Sequence, residues 1–394
     1  MFLLHKIGMD QTRTKQVAIL VETGRSYPRS ILAGVRKFLA EKGPWATLVE
    51  SFAPGEAMPQ WLKSWNGDGI LIQTYPSPSP ESVLDSHIPK VELRSRRYHS
   101  LRPFVGCDNR KIGKLVAGHF LERGYENFAY TTRESQDFFL ERSDNFRETV
   151  VGAGRACREL PNPEHGEFSD YDSYMESVIS ALDQTPKPVA VFATSDKLGT
   201  YVLDACRRGG ISVPEEVAVV GCENDETLCE FSVPEMSSVN FDGERVGYEA
   251  ASLLARLMAG EAPPLNPVLL PPLGIITRES SDDLAVRDRL VSQASRIFRE
   301  RLSDGISVTD VANRLNCSRS TLERRMKAAL GRSPKEELLR LRISRIEYLL
   351  IYSDFTLETI AEQVGFAQAT HLHAVFRQQH GMTPGKFRDR KKPG

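Results

Sequence analysis

At 394 residues the chain exceeds what one core ordinarily organises, so two or three domains are expected. Its 40% hydrophobic and 26% charged residues are normal for a soluble globular protein, and no apolar run nears the roughly 18 residues of a membrane span. The net charge of −1 hides a split: residues 285–394 carry 21 Lys and Arg against 12 Asp and Glu, whereas residues 1–284 carry 30 against 40. A basic quarter on an acidic chain points to a polyanionic partner for that quarter, although solvated surfaces also vary this much.

The opening MFLLHKIGMD holds only a few apolar residues before Lys6, too short for the hydrophobic segment of an export signal, so the cytoplasm is the expected compartment. Six cysteines (Cys107, Cys157, Cys206, Cys222, Cys229 and Cys317) are scattered with no C-x-x-C pair. That pattern suits reduced, mostly buried thiols rather than a disulfide framework or a zinc site. Neither a metal nor a cofactor is expected.

Residues 16–280 alternate short β-branched runs with amphipathic stretches, the mark of an α/β fold built on parallel sheets. Strands are predicted at Gln16–Val21, Gly69–Gln73, Asn127–Thr131, Val189–Ala193 and Val217–Gly221. Helices are predicted at Arg110–Arg123, closed by Gly124, and at Leu198–Arg208, closed by Gly209 and Gly210. Strands this continuously apolar imply sheets covered on both faces, and ligands of such folds sit at the carboxyl ends of the strands. The proline-rich Ala262–Gly274 reads as an extended segment, and the polar Thr277–Asp283 as a domain boundary.

From about Ala285 the pattern is helical throughout, with one short approximate duplication. In the first copy, Ser307–Leu330, Ser307 and Asp310 fit a capping box, and Val308, Val311, Ala312 and Leu315 recur at helical spacing. After the break Asn316–Ser318, Leu322, Met326 and Leu330 recur every four residues and must face a core. Arg319, Ser320, Glu323, Arg324 and Lys327 then share the opposite, polar face. Two short helices with a tight turn and a basic outer face make a helix-turn-helix. The second copy, Thr356–Gly381, has Ile360, Ala361 and Val364 on one stripe, a break at Gly365, and Leu372, Val375 and Phe376 on the next. Between the copies, Ser333–Ile351 is long, charged and amphipathic, with Arg340, Arg342 and Arg345 placed to reach phosphates. His371 and His373, with His380 nearby, invite a metal reading, but two histidines at i and i+2 on a helix point to different faces, so surface or nucleic-acid contact is the better reading.

The run from Ile360 to Arg388 resembles the signature of the AraC/XylS family of transcription activators. The match falls on Ile360, Ala361, Gly365, Phe366, Phe376, Arg377, Gly381, Thr383, Pro384, Phe387 and Arg388. The chain departs where Thr370 replaces serine, Leu372 replaces phenylalanine and Ala374 replaces an arginine that in relatives reaches DNA. The resemblance therefore implies duplex DNA as partner, met by Arg319, Ser320, Glu323, Arg324 and Lys327 of the first unit and Gln368, Thr370, His371 and Arg377 of the second, with Ser320, Glu323 and Arg324 carrying more of the sequence specificity. An all-helical packing domain with merely solvated arginines is the plain alternative.

Upstream, Val105–Tyr130, Val189–Asp225 and Ser237–Leu257 resemble the effector-binding domain of LacI/GalR repressors, itself similar to periplasmic sugar-binding proteins. The resemblance implies a two-lobed α/β domain over residues 14–280 and an all-α domain with two helix-turn-helix units over residues 285–394. It further implies a homodimer whose DNA-binding parts respond to a small sugar, in the manner of xylose-operon activators, with D-xylose as the favoured effector and RNA polymerase as a further partner. Arg142 matches the family arginine that pairs with effector. Asp196, and Glu223 with Asn224, follow strands, Glu223 standing where the family has aspartate; Tyr27 and Asp108 are candidates for the same cleft. For each, a helix cap or a salt bridge is the plain alternative. The chain has no G-x-x-x-x-G-K-[ST], G-x-G-x-x-G after a strand, G-x-S-x-G or H-E-x-x-H, so binding without turnover is expected. A regulator sensing another metabolite, and a sugar-binding protein whose helical tail only packs, are the competing readings.

Overall fold

The computed structural model describes residues 13–51, 59–73, 87–94, 103–133, 137–162, 168, 170–282, 288–353 and 355–391. The expected start of the helical domain at Ala285 and the segment before Arg13 lie outside these residues.

The first lobe opens with β1 (Gln16–Leu20), α1 (Ser26–Lys42), β2 (Ala46–Glu50), β3 (Gly69–Ile72), β4 (Lys90–Glu92) and β5 (Val105–Cys107). The strands lie in the order β2-β1-β3-β4, all parallel, and a bridge from Glu92 to Phe104 leads on to β5. Val17–Val21 are all buried, as an apolar run covered on both sheet faces requires.

The chain then crosses at Asp108 into the second lobe. Here lie α2 (Asn109–Glu122), β6 (Asn127–Thr131), α3 (Asp137–Gly152), β7 (Ala156–Glu159), α4 (Tyr171–Asp183), β8 (Val189–Ala193), α5 (Asp196–Gly209), β9 (Val217–Cys222), α6 (Glu226–Glu230) and β10 (Ser237–Asn240). It returns at Asp242 through α7 (Gly243–Met258), which packs on α1, and β11 (Val268–Leu270), which pairs with β5. It crosses a third time to β12 (Gly274–Ile276), antiparallel to β10, completing the sheet β12-β10-β9-β8-β6-β7. The stretch expected to be merely extended, Ala262–Gly274, thus supplies an edge strand to the first lobe. Helix α5 starts two residues before its predicted position because the Ser195 hydroxyl accepts from the Leu198 N–H and caps it.

A 3-10 turn at Glu279–Ser281 leads toward the helical part: α8 (Arg289–Glu300), α9 (Val308–Arg314), α10 (Arg319–Leu330), α11 (Pro334–Tyr352), α12 (Leu357–Gln363), α13 (Ala369–His380) and α14 (Pro384–Lys391). The two copies repeat closely, a 7-residue helix followed by a 12-residue one. Each long helix ends in a left-handed glycine, Gly331 or Gly381, and a proline, Pro334 or Pro384, opens the next. Two separate cores result. Val291, Phe298, Val311, Leu322, Met326 and Leu338 form the first, and Ile346, Leu350, Ile360, Phe366, Leu372 and Phe376 the second. Helix α11 gives Leu338 to one and Ile346 to the other. At 19 residues it spans about 28 Å.

Candidate ligand cleft and nucleic-acid interface

Between the lobes, at the carboxyl ends of both sets of strands, lies a cleft that opens to solvent. The first lobe lines it with Arg25, Tyr27, Pro28, Gln73, Leu93, Arg94, Phe104 and Cys107, and the second with Asn109, Phe138, Arg142 and Glu223. Of the six residues singled out from sequence, Tyr27, Arg142 and Glu223 therefore meet here.

Arg142, on α3, is buried at its centre. Its Nε donates to Asn109 Oδ1 at 2.9 Å, and its Nη1 donates to Thr194 O at 2.7 Å and Glu223 Oε1 at 3.4 Å. Its guanidinium stands over the rings of Phe138 and Phe241, each 5.0 Å from the centroid. A buried cation is tolerated when charge and ring faces compensate it, and both are present. From Glu223 an alternating chain of charge runs across the lobes: Arg25 pairs with Glu223 at 3.5 Å and with Glu22 at 3.2 Å, and Arg94 pairs with Glu22 at 3.4 Å. Tyr27 Oη and Cys107 Sγ lie 3.3 Å apart. Burial pushes the Tyr27 phenol well above its ordinary value and the Cys107 thiol up to about 11, so both face the cleft uncharged.

The other three sequence candidates lie at the margins. Asp196 is buried behind the turn that follows β9: its Oδ2 accepts from the Asp225 N–H at 2.7 Å and its Oδ1 from Ser238 Oγ at 2.5 Å. Burial pushes its carboxyl up to about 8, against the downward pull of those two bonds. Asn224 donates its N–H to Ser238 Oγ at 3.0 Å. Glu223 and Asn224 hold φ of 111° and 46°, the left-handed region that non-glycine residues avoid. The bonds from Asp196 and Ser238 are what hold that turn, and the turn aims Glu223 at Arg142. Strain of this kind collects at binding sites. Asp108 caps α2, accepting from the Lys111 N–H at 3.2 Å, at the first crossing between lobes.

Sequence reasoning missed Arg25, Gln73, Arg94, Cys107, Asn109 and Phe138 as lining residues. Gln73, Arg94 and Asn109 each lie just past a strand end, the signal by which they could have been found.

In the helical part, Arg319, Ser320, Glu323, Arg324 and Lys327 are all exposed on α10. Arg319 pairs with Glu323 at 3.1 Å, and Lys327 reaches Glu336 at 4.0 Å. Arg324 makes no ion pair among the described residues, whereas its neighbour Arg325 turns inward and grips Asp288, the cap of α8. Gln368, Thr370, His371 and Arg377 are exposed on and before α13. Both long helices thus turn a polar, partly cationic face outward. The three arginines of α11 are otherwise engaged, which corrects the expectation that they reach phosphates. Arg340 pairs with Glu337 and Asp282, Arg342 lies 5.1 Å over the Phe366 ring, and Arg345 approaches Glu235 at 3.9 Å. They face the rest of the chain because one side of α11 packs into the two cores while Asp282 and Glu235 lie against Arg340 and Arg345.

A two-lobed cleft at strand ends, carried on one chain with paired helix-turn-helix units, defines a class of protein: a ligand-binding regulator that acts on DNA. Residues 117–281 match the periplasmic binding protein-like domain, and residues 311–390 match a helix-turn-helix domain. The xylose operon regulatory protein of Haemophilus influenzae is 26% identical over 381 residues, 95% of this chain and 98% of its own. That of Escherichia coli K12 is 27% identical over 391 residues, 96% and 98%. The HTH-type transcriptional regulator CelR of Thermobifida fusca is 31% identical over 270 residues, which cover 63% of this chain and 76% of CelR. The solved structure of the xylose-binding transcription activator xylR shares the fold, with a TM-score of 0.83 over 97% of this chain and 100% of its own at 24% identity. The chain belongs to the transcription regulators that join a LacI/GalR-type, periplasmic-binding-protein-like domain to an AraC/XylS-type helix-turn-helix domain.

Proposed function

We propose that the protein regulates a sugar-catabolic operon in response to a small sugar bound in the interlobe cleft, with D-xylose as that sugar. The observation that carries the reading is the anchored Arg142–Glu223 pair facing the cleft from one lobe while Arg25, Gln73 and Arg94 face it from the other. A polyol needs convergent donors and acceptors, and a carboxylate beside guanidinium forks supplies both to neighbouring hydroxyls, with Phe138 offering a face to the ring C–H groups. The names of the relatives favour D-xylose over other sugars of that size.

In this reading Tyr27, Arg142 and Glu223 contact the effector, while Asp196, Asn224 and Asp108 hold the turn and the helix start that place them. Arg319, Ser320, Glu323, Arg324 and Lys327 enter one major groove, and Gln368, Thr370, His371 and Arg377 the next, about one helical turn (roughly 34 Å) away. The span of α11 suits that separation. The protein acts as a cytoplasmic homodimer that activates transcription through RNA polymerase, and it binds its sugar without turning it over. Sugar closing the lobes shifts an existing equilibrium between presentations of the DNA-binding part.

Calorimetric titration of the full chain with D-xylose, L-arabinose, D-ribose and D-glucose tests the effector, with operator binding followed in parallel by fluorescence anisotropy. D-xylose alone should bind and change operator affinity. A response to none of the four would overturn the sugar assignment, and no binding to any duplex at low salt would overturn the regulator.

A further inference from the structure

The cleft and the outer faces of α10 and α13 are distant surfaces, and a continuous series of contacts runs between them. Helix α2 starts in the cleft, where its first residue, Asn109, accepts from Arg142. It lies close against α3: a Cβ on Gly113 would lie 2.4 Å from Arg142 O and 2.7 Å from Phe146 N. Ten residues and about 15 Å further along the same helix, His119 is buried, and its Nε2 shares a hydrogen bond with Ser281 Oγ at 3.2 Å. Burial, with Arg123 nearby, holds this imidazole down to about 4, so it is a neutral partner.

Ser281 belongs to the 3-10 turn from which the chain leaves the second lobe. That turn is fixed to the sheet by Ser280, whose Oγ donates to Val219 O at 2.6 Å and accepts from the Ser237 N–H at 2.9 Å. The next residue, Asp282, pairs with Arg340 of α11. Arg340 also forks onto the fully buried Glu337, with Nε 3.0 Å from Oε2 and Nη2 2.9 Å from Oε1, and Arg332 grips the same carboxylate. Helix α11 is the element both DNA-facing units share. Every step is therefore either a helix, which transmits displacement with little loss, or a directional polar contact with one geometry.

We propose that α2 carries the state of the cleft from Arg142 and Asn109 to the His119–Ser281 contact, and that the Asp282–Arg340 pair passes it to α11. His119, Ser281, Asp282 and Arg340 are thus positioning residues that couple effector to DNA, touching neither. The proposal rests on the reading that effector occupies the cleft. It assigns to these residues a coupling free energy, which is separable by measurement from either affinity alone.

The test uses the full chain with Ser281→Ala, Asp282→Asn and both together. D-xylose affinity is read by calorimetry, and operator affinity by anisotropy with and without saturating D-xylose. Each variant should keep D-xylose affinity and sugar-free operator affinity within about twofold, because neither residue touches either ligand. The ratio of operator affinities with and without sugar should collapse at least fivefold toward unity, and the double variant should lose no more than the worse single one, as contacts in series require. A wild-type ratio retained in both single variants would overturn the relay.

A sugar-free arm separates this from failure of the effector assignment. Asn109→Ala should alter amide hydrogen exchange of α11 (Pro334–Tyr352) in the parent chain and leave it unaltered in the Ser281→Ala background. An α11 that ignores Asn109→Ala in the parent overturns the relay whatever the effector proves to be.

Discussion

Arg142→Met offers a sharp test of the cleft. Methionine keeps an apolar stem among Phe138, Phe139 and Phe241 and removes only the charged fork. Three acceptors lose a donor: Asn109 Oδ1, Thr194 O and Glu223 Oε1. A buried acceptor left without a donor costs about 1–3 kcal/mol. The three do not cost equally, since Glu223 keeps Arg25 at 3.5 Å and, like Asn109, lines the cleft. Thr194 O, at the end of β8, has no such relief. The two-lobed domain should lose about 2–4 kcal/mol of stability. Sugar affinity should fall by at least tenfold, since a lost charged hydrogen bond to a hydroxyl is worth about 1.5 kcal/mol or more and about 1.4 kcal/mol is tenfold. Urea denaturation followed by tryptophan fluorescence reads the first, because all three tryptophans lie in the first 65 residues, and calorimetry reads the second. Wild-type sugar affinity in a folded Arg142→Met protein would refute the argument that the anchored guanidinium organises the site.

Three further outcomes are expected. Arg324→Ala should weaken operator binding by about 1–3 kcal/mol while barely affecting random duplex, as measured by anisotropy; equal loss on both would show a phosphate contact instead of base reading. Asp196 has a folded-state carboxyl raised from an ordinary 3.8 to about 8, so the folded state holds the proton more tightly, and stability present below pH 4 is lost as pH climbs toward 8. Asp196→Asn should flatten that slope in thermal melts between pH 5 and 8, and a variant with the parent's slope would contradict the assignment. Gly365 has φ of 70°, and a Cβ there would lie 2.4 Å from Leu302 O and 2.7 Å from Gly305 Cα. Gly365→Ala should cost about 2 kcal/mol or more in the helical part through strain and collision, lowering its melting transition by several degrees, and an unchanged transition would contradict it.

How far these features could be read from the chain differs by region. The helix-turn-helix units were legible because apolar spacing, capping serines and terminal glycines are all local. The family signature proves largely architectural. Gly365 is squeezed against the turn between α8 and α9, and Arg388 donates to Leu350 O and Phe355 O, tying down the connection between α11 and α12. The strands were legible as apolar runs, but their division between two lobes was not. A β-α alternation reads the same whichever sheet a strand joins, and the three crossings at Asp108, Asp242 and after Leu270 leave little mark. The cleft was therefore visible only through Tyr27, Arg142 and Glu223, while Arg25, Gln73, Arg94 and Phe138 come together through those crossings. Arg340, Arg342 and Arg345 misled for a related reason: a charged helix face looks solvent- or DNA-bound until the rest of the chain is seen to cover it.

Helix α11 carries a consequence for the DNA itself. Because one unbroken helix closes both small cores, the protein works as a fixed gauge. Helix α11 runs unbroken over Pro334–Tyr352, so it resists widening or narrowing of the distance between the two probing helices. An operator with a base pair added between its contacted segments must supply the adjustment by bending or untwisting, so flexible intervening steps are favoured at positions no side chain touches.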